Sequence, residues 1–229
     1  MPDYISNFLP YLFRIPTVLI ALTVHEVCHG YVAYKLGDTT ARDMGRLSLN
    51  PLRHLSPLGC ICMIVLGFGF AKPVPISTRY FEHPKRDMAL TALAGPLSNL
   101  CLAIIAIFIE SVAVAIFHAV SPGMNAAFTS SFGFYGFYFF IYFIQTFYFL
   151  NLSLAVFNMI PLPPLDGSRV VYSFLPEKYY FGVMRYERYI MLALFLLIWT
   201  GALSGILSTA VLWLSEAIHS AISLLPLLG

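Results

Sequence analysis

The sequence has little charge: Asp, Glu, Lys and Arg make up 10% of its 229 residues, while 59% are apolar. Soluble domains carry roughly 25% charged residues. That class is therefore excluded, and a mean hydropathy of +0.79 places the chain in a bilayer. The alternation of apolar and polar residues that marks a membrane β-barrel is also missing, because the apolar runs are continuous. Residues 1–10 contain no basic residue ahead of the first apolar run, so they do not read as a cleavable leader. Cysteine is scarce. Cys28, Cys60, Cys62 and Cys101 all fall in or beside apolar segments, which implies small-residue packing and no disulfide framework. The net charge of +2 is scattered over the connecting segments and forms no patch for nucleic acid.

What is present is a set of long apolar runs. Residues 11–34, 88–117, 132–160 and 189–214 each exceed the ~20 residues a helix needs to cross the hydrocarbon. The predicted fold is an all-α polytopic membrane protein, one domain over residues 1–229, with about five to six membrane segments. Residues 57–70 form a shorter run with three glycines, which suits a re-entrant element, either helical or a β-hairpin. Residues 205–228 read as a final short span or an interfacial helix. If 57–70 dips in and returns, twelve of the thirteen Lys and Arg residues lie on one side, leaving only Arg14 near the other face. By the positive-inside rule that side is cytoplasmic. Arg14 and Glu110 both fall toward the outer face, where they either pair across helices or reach separately to the headgroups.

The chemistry begins at His25-Glu26-Val27-Cys28-His29. This HExxH spacing puts two imidazoles on one helix face, one turn apart, where both can ligate a single zinc, with Glu26 beside them as general base. Ionisable groups inside a membrane helix are costly, so their presence argues for a function. A catalytic zinc takes three protein ligands and keeps one position open. Asp166, at the end of Asn158-Met159-Ile160-Pro161-Leu162-Pro163-Pro164-Leu165-Asp166-Gly167, is an anionic candidate for the third. His25 lies ten residues before Lys35, or about 15 Å inside the helix end. The proline-rich run breaks the preceding helix and can carry Asp166 to that depth, while Gly167 permits close backbone approach beside it.

With these residues in view, the chain resembles the site-2 proteases, intramembrane zinc metalloproteases, in their short bacterial form without PDZ or CBS domains. HEVCHG (25–30) and NMIPLPPLDGSR (158–169) look like the two signature motifs, and GRLSLNPLRHLSPLG (45–59), AKPVPI (71–76) and AGPLSN (94–99) like intermediate ones. The resemblance implies one Zn2+ per chain held by His25, His29 and Asp166, with Glu26 as catalytic base. It further implies hydrolysis of peptide bonds in or near transmembrane segments of membrane-protein substrates, in a bacterial cytoplasmic membrane with the active site toward the cytosol. Two positions depart from the pattern: Ser56 replaces a frequent Asp, and Cys28 a frequent Ala or Gly.

Other residues are candidates for substrate or transition-state contacts. Asn158 could supply an amide to a developing oxyanion, or simply bond a helix neighbour. His54 could support the metal ligands, although a polar loop residue is the preferred reading. Gly67 and Gly69 resemble a G-x-G strand that captures an unwound substrate by strand addition, or else pack at a membrane bend. Two other classes compete with a protease: a zinc-binding membrane transporter and a non-catalytic scaffold derived from a protease. Glu26 between the histidines speaks against both.

The topology rests on charge alone and can be tested without reference to the chemistry. In a background lacking the native cysteines, an impermeant thiol reagent applied from outside is expected to label Asn125→Cys and to spare Arg42→Cys, Arg79→Cys and Lys178→Cys. Labelling at 79 with 42 protected would mean that 57–70 crosses the bilayer completely.

Overall fold

The computed structural model describes residues 3–54, 56, 72–120, 132–176 and 186–225, and every regular element among them is helical. In chain order these are α1 (Asp3–Lys35), α2 (Thr40–Asp43), α3 (Pro84–Val120), α4 (Phe132–Asn158), α5 (Asp166–Ser173), α6 (Glu187–Trp199) and α7 (Ser204–Ser223), with short 3₁₀ turns at Pro51–Arg53 and Thr78–Tyr80. Four helices are long and apolar enough to cross a membrane: Leu12–Lys35 of α1, all of α3, Gly133–Asn158 of α4, and α7. Against the expectation of five to six membrane segments, the described residues hold four such helices. The expected re-entrant element at 57–70, with Gly67 and Gly69, lies outside the described residues.

The central helix is α3. Its 37 residues give a rod of about 55 Å, and it packs against α1, α4, α5 and α7. The main apolar core joins Ala103, Ala106 and Ile107 of α3 to Ile144, Tyr148 and Leu152 of α4 and to Val211 and Ile222 of α7. Lipid tails are as apolar as these side chains, so burial from water does not drive the association. Close approach over small residues such as Ala103 and Ala106, and hydrogen bonds between helices, hold it instead. One such bond runs from Gln145 Nε2 of α4 to Glu110 Oε1 of α3 at 2.7 Å, and His219 Nε2 of α7 lies 3.4 Å from Glu110 Oε2. Glu110, which the sequence allowed to pair with Arg14, is met by α4 and α7 instead.

The apolar run 189–214 is not one helix. Gly201, at φ +72°, ends α6. Its amide donates to Ile198 O at 3.0 Å, and that of Ala202 to Leu197 O at 3.1 Å. This is the Schellman pattern, which needs a left-handed residue that glycine supplies at least cost. Hydropathy runs unbroken across this turn, so a count of apolar residues cannot see it. The stretch beyond becomes α7, long enough to span. The same device ends α1 at Gly37 and α2 at Gly45, both with positive φ. There Asp38 N reaches back to Ala33 O, and Arg46 N to Ala41 O.

Candidate metal centre

Residues 25–29 lie within the membrane-spanning part of α1, and the one-turn spacing sets the two imidazoles nearly at right angles, 4.5 Å between ring centres. Each ring is fixed through Nδ1 by an acceptor on α3. His25 Nδ1 donates to Asn99 Oδ1 at 2.6 Å, and His29 Nδ1 to the Thr91 carbonyl at 2.7 Å. Asn99 can present only its oxygen to His25, because its Nδ2 donates to Asn151 Oδ1 at 2.8 Å and to Ala21 O at 3.3 Å. Asn151 in turn donates to Phe147 O. A polar chain therefore passes from α1 through α3 to α4, and both asparagines are fully buried.

These bonds place the Nδ1 protons and leave both Nε2 atoms as lone pairs. The two Nε2 atoms are 3.0 Å apart, and Asp166 Oδ2 lies 3.2 Å from one and 3.3 Å from the other. Three electron-pair donors converge on one point, an arrangement that repels itself unless a proton or a cation sits among them. Zn–N and Zn–O bonds of 2.0–2.2 Å in a tetrahedron separate neighbouring donors by about 3.4 Å, close to the spacing found. Glycine completes the cradle. A Cβ on Gly95 of α3 would collide with His29 Nε2 and lie 2.6 Å from His25 Nε2, so the missing side chain leaves room of the size of an ion. His25, His29 and Asp166 are thus a donor set and a space that fit zinc.

Asp166 arrives as the residue chemistry requires. After α4 ends, Met159 to Leu165 fold into turns, with Leu162 N bonded to Ile160 O and Leu165 N to Leu162 O. Gly167 lets this loop press on the start of α5, for a Cβ there would collide with the Met159 carbonyl oxygen. Burial alone would raise the Asp166 carboxyl, but with a proton among the three donors its hydrogen bonds to His25 and His29 outweigh this and hold it below the usual carboxylate range. The third donor is therefore an anion.

Glu26 Oε2 accepts a hydrogen bond from Val74 N at 2.7 Å, within the irregular segment 72–77. The other candidates are placed differently. Asn158 Nδ2 donates to Leu154 O one turn back in α4, the helix-neighbour alternative. His54 is buried at 2% exposure, outside the metal donor group, with Nε2 bonded to Ser48 O. It is a buried residue of a turn that braces a connecting segment. Sequence reasoning does not single out Gly95, Asn99 or Asn151. Gly95 and Asn99 fall in the AGPLSN motif. For Asn151 the signal is a polar side chain in the middle of an apolar span.

A histidine pair and a carboxylate that could hold a metal, with a glutamate beside the first histidine on a helix long and apolar enough to span a membrane, are the groups a zinc metalloprotease of the membrane needs. The model of Peptidase family M50 matches residues 13–200. The chain belongs to that family, the site-2 proteases. Among its curated relatives, each named as a "Putative zinc metalloprotease", YwhC of Bacillus subtilis (strain 168) is 42% identical over 76% of this chain and 73% of its own length. MJ0611 of Methanocaldococcus jannaschii is 30% identical, over 72% of this chain and 73% of its own. Rip2 of Mycobacterium tuberculosis (strain H37Rv) is 26% identical over 86% and 71%. No solved structure matches the chain.

Two substitutions test the centre apart from catalysis. Gly95→Ala is expected to empty the site, because the new methyl occupies the ion's place, and metal analysis after dialysis should find almost no zinc. Asn99→Ala frees the His25 ring and is expected to weaken zinc binding by about 10–100-fold, read by competition with a chelator. Full zinc retention in Gly95→Ala would mean that α3 does not line the ion.

Proposed function

We propose that this metalloprotease cuts peptide bonds in or near the transmembrane segments of other membrane proteins, with its active site toward the cytosolic side of a bacterial membrane. The observation that carries the reading is the depth of the site. The two histidines and Glu26 stand on a helix long and apolar enough to span, about 15 Å from its end at Lys35. A peptide bond must therefore be brought to that depth to be cut, which favours a membrane-embedded substrate over a soluble one. The distribution of Lys and Arg supports the cytosolic orientation.

Zinc, when bound, supplies a Lewis acid that polarises the scissile carbonyl and acidifies a water molecule. The protein's own groups do the rest. His25 and His29, locked by Asn99 and Thr91, keep the Lewis acid in one place, and Asp166 closes its third side. Glu26, on the same helix, takes the proton from the attacking water and returns it to the leaving amine. Val74 N–H holds one carboxylate oxygen of Glu26, so the other is left for the proton transfer. Tight packing of α3 behind the histidines keeps bulk water off that side of the reaction.

A transporter built on the same donors would have no use for Glu26, which gives the decisive measurement. Glu26→Gln is expected to abolish cleavage of a transmembrane reporter in proteoliposomes, by at least about 10²-fold, while the chain stays folded and retains one zinc. Undiminished cleavage would end the proposed mechanism. A wild-type chain that moves zinc across the vesicle wall and cuts nothing would establish the transporter.

A further inference from the structure

The segment 72–77 carries no regular secondary structure, yet it is tied down at both ends and at its middle. Lys72 N donates to His54 O at 2.8 Å. Arg46 Nη2 donates to Lys72 O at 2.6 Å and to Pro73 O at 3.3 Å. Ser77 N donates to Asp38 Oδ2 at 2.6 Å, and Asp38 Oδ1 is taken by Thr40 N and Thr40 Oγ1. Between these anchors stands Val74, whose amide donates to Glu26 Oε2. Pro73 and Pro75 flank it and have no amide of their own. Val74 N is thus the only amide between Lys72 and Ile76 that this stretch can offer Glu26.

Arg46 is unusual in this setting. It is 8% exposed, its Nε has no hydrogen-bond partner, and among the described residues no carboxylate pairs with it. Burying a guanidinium without a counter-ion is expensive. Both of its hydrogen bonds go to consecutive carbonyls of one segment, the two immediately before Val74. Asp38, fully buried, grips the segment on the other side, three residues after Val74. At Gly30 a Cβ would come within 3.0 Å of a Val74 methyl, so α1 itself leaves room for the segment to lie against it.

We infer that Arg46 and Asp38 are positioning residues for catalysis: together they fix the register of segment 72–77, so that the Val74 amide holds Glu26 in the orientation that transfers the proton. This rests on the protease reading above. Neither side chain belongs to the metal donor group, so losing it disorients the base while leaving the metal ligands in place. The signature is a fall in kcat with KM and zinc content little changed.

The test uses the zinc-loaded full chain in proteoliposomes with a transmembrane reporter. Arg46→Gln is expected to lower kcat by about 10–100-fold, with KM within about twofold and one zinc retained. Arg46→Lys, which keeps a donor for one carbonyl, should fall between it and wild type. Val74→Pro removes the amide itself, and the Arg46→Gln/Val74→Pro double variant should be no slower than the slower single, because both break one link. In hydrogen exchange, the peptide spanning 72–78 is expected to lose protection in Arg46→Gln and in Glu26→Ala alike. Multiplicative losses in the double variant, a KM effect with kcat intact, loss of zinc, or unchanged exchange in Arg46→Gln would each overturn the inference. A wild-type chain that cuts nothing would sink the cleavage reading instead, and the exchange measurement alone would then decide whether Arg46 holds the segment.

Discussion

The hydrogen bond from His25 to Asn99 is the constraint on which the rest of the centre depends. It joins α1 to α3 at 2.6 Å in a fully buried setting, and it sets the tautomer of the first ligand. In hydrocarbon an unsatisfied amide costs several kcal/mol, so Asn99 cannot stand alone. It passes its own donors to Asn151 and to the Ala21 carbonyl, and α4 is drawn into the same network. One chemical requirement, a neutral imidazole with its lone pair aimed inward, thereby fixes the relative placement of three membrane helices. Gly95 and Pro96, a few residues earlier on α3, shape the surface against which the rings rest. Pro96 offers no amide to the Ala92 carbonyl, and the neighbouring Thr91 carbonyl accepts from His29.

Around this centre the chain uses two kinds of connection. Helix ends that must turn sharply are closed by glycines in left-handed conformation, at Gly37, Gly45 and Gly201. Segments that must stay extended are held by buried charged or polar side chains, with Arg46, Asp38 and His54 all bonding backbone atoms. The division follows from the solvent. Backbone that leaves the helix near a membrane still needs partners for its amides and carbonyls, and where water is scarce side chains must supply them.

The group that could hold a metal is legible in the sequence because its chemistry is local or nearly so. HExxH specifies its own geometry on any helix, and a proline-rich run ending in Asp-Gly announces a chain that turns back with a carboxylate in hand. The spans are legible from hydropathy, except at Gly201, where a turn signal of one residue is outweighed by the apolar run 189–214 around it. What supports the ligands is not readable in the same way. Asn99 and Asn151 meet across helices far apart in sequence, and nothing in either neighbourhood names the other. His54 reads as a loop residue because its burial depends on Ser48 and on the return of the chain at Lys72. The role of Gly95 is an empty volume, which appears only when α1 is laid against α3.

The third candidate donor comes late in the chain. Asp166 follows His29 by 137 residues, so at synthesis rates of about 5–20 residues per second the histidines leave the ribosome roughly 7–27 seconds before their partner. During that interval α1 holds only two of the three donors. The donor group is complete only once α5 has emerged and folded back. The order of the donors along the polypeptide thus makes completion of the group a late event in assembly.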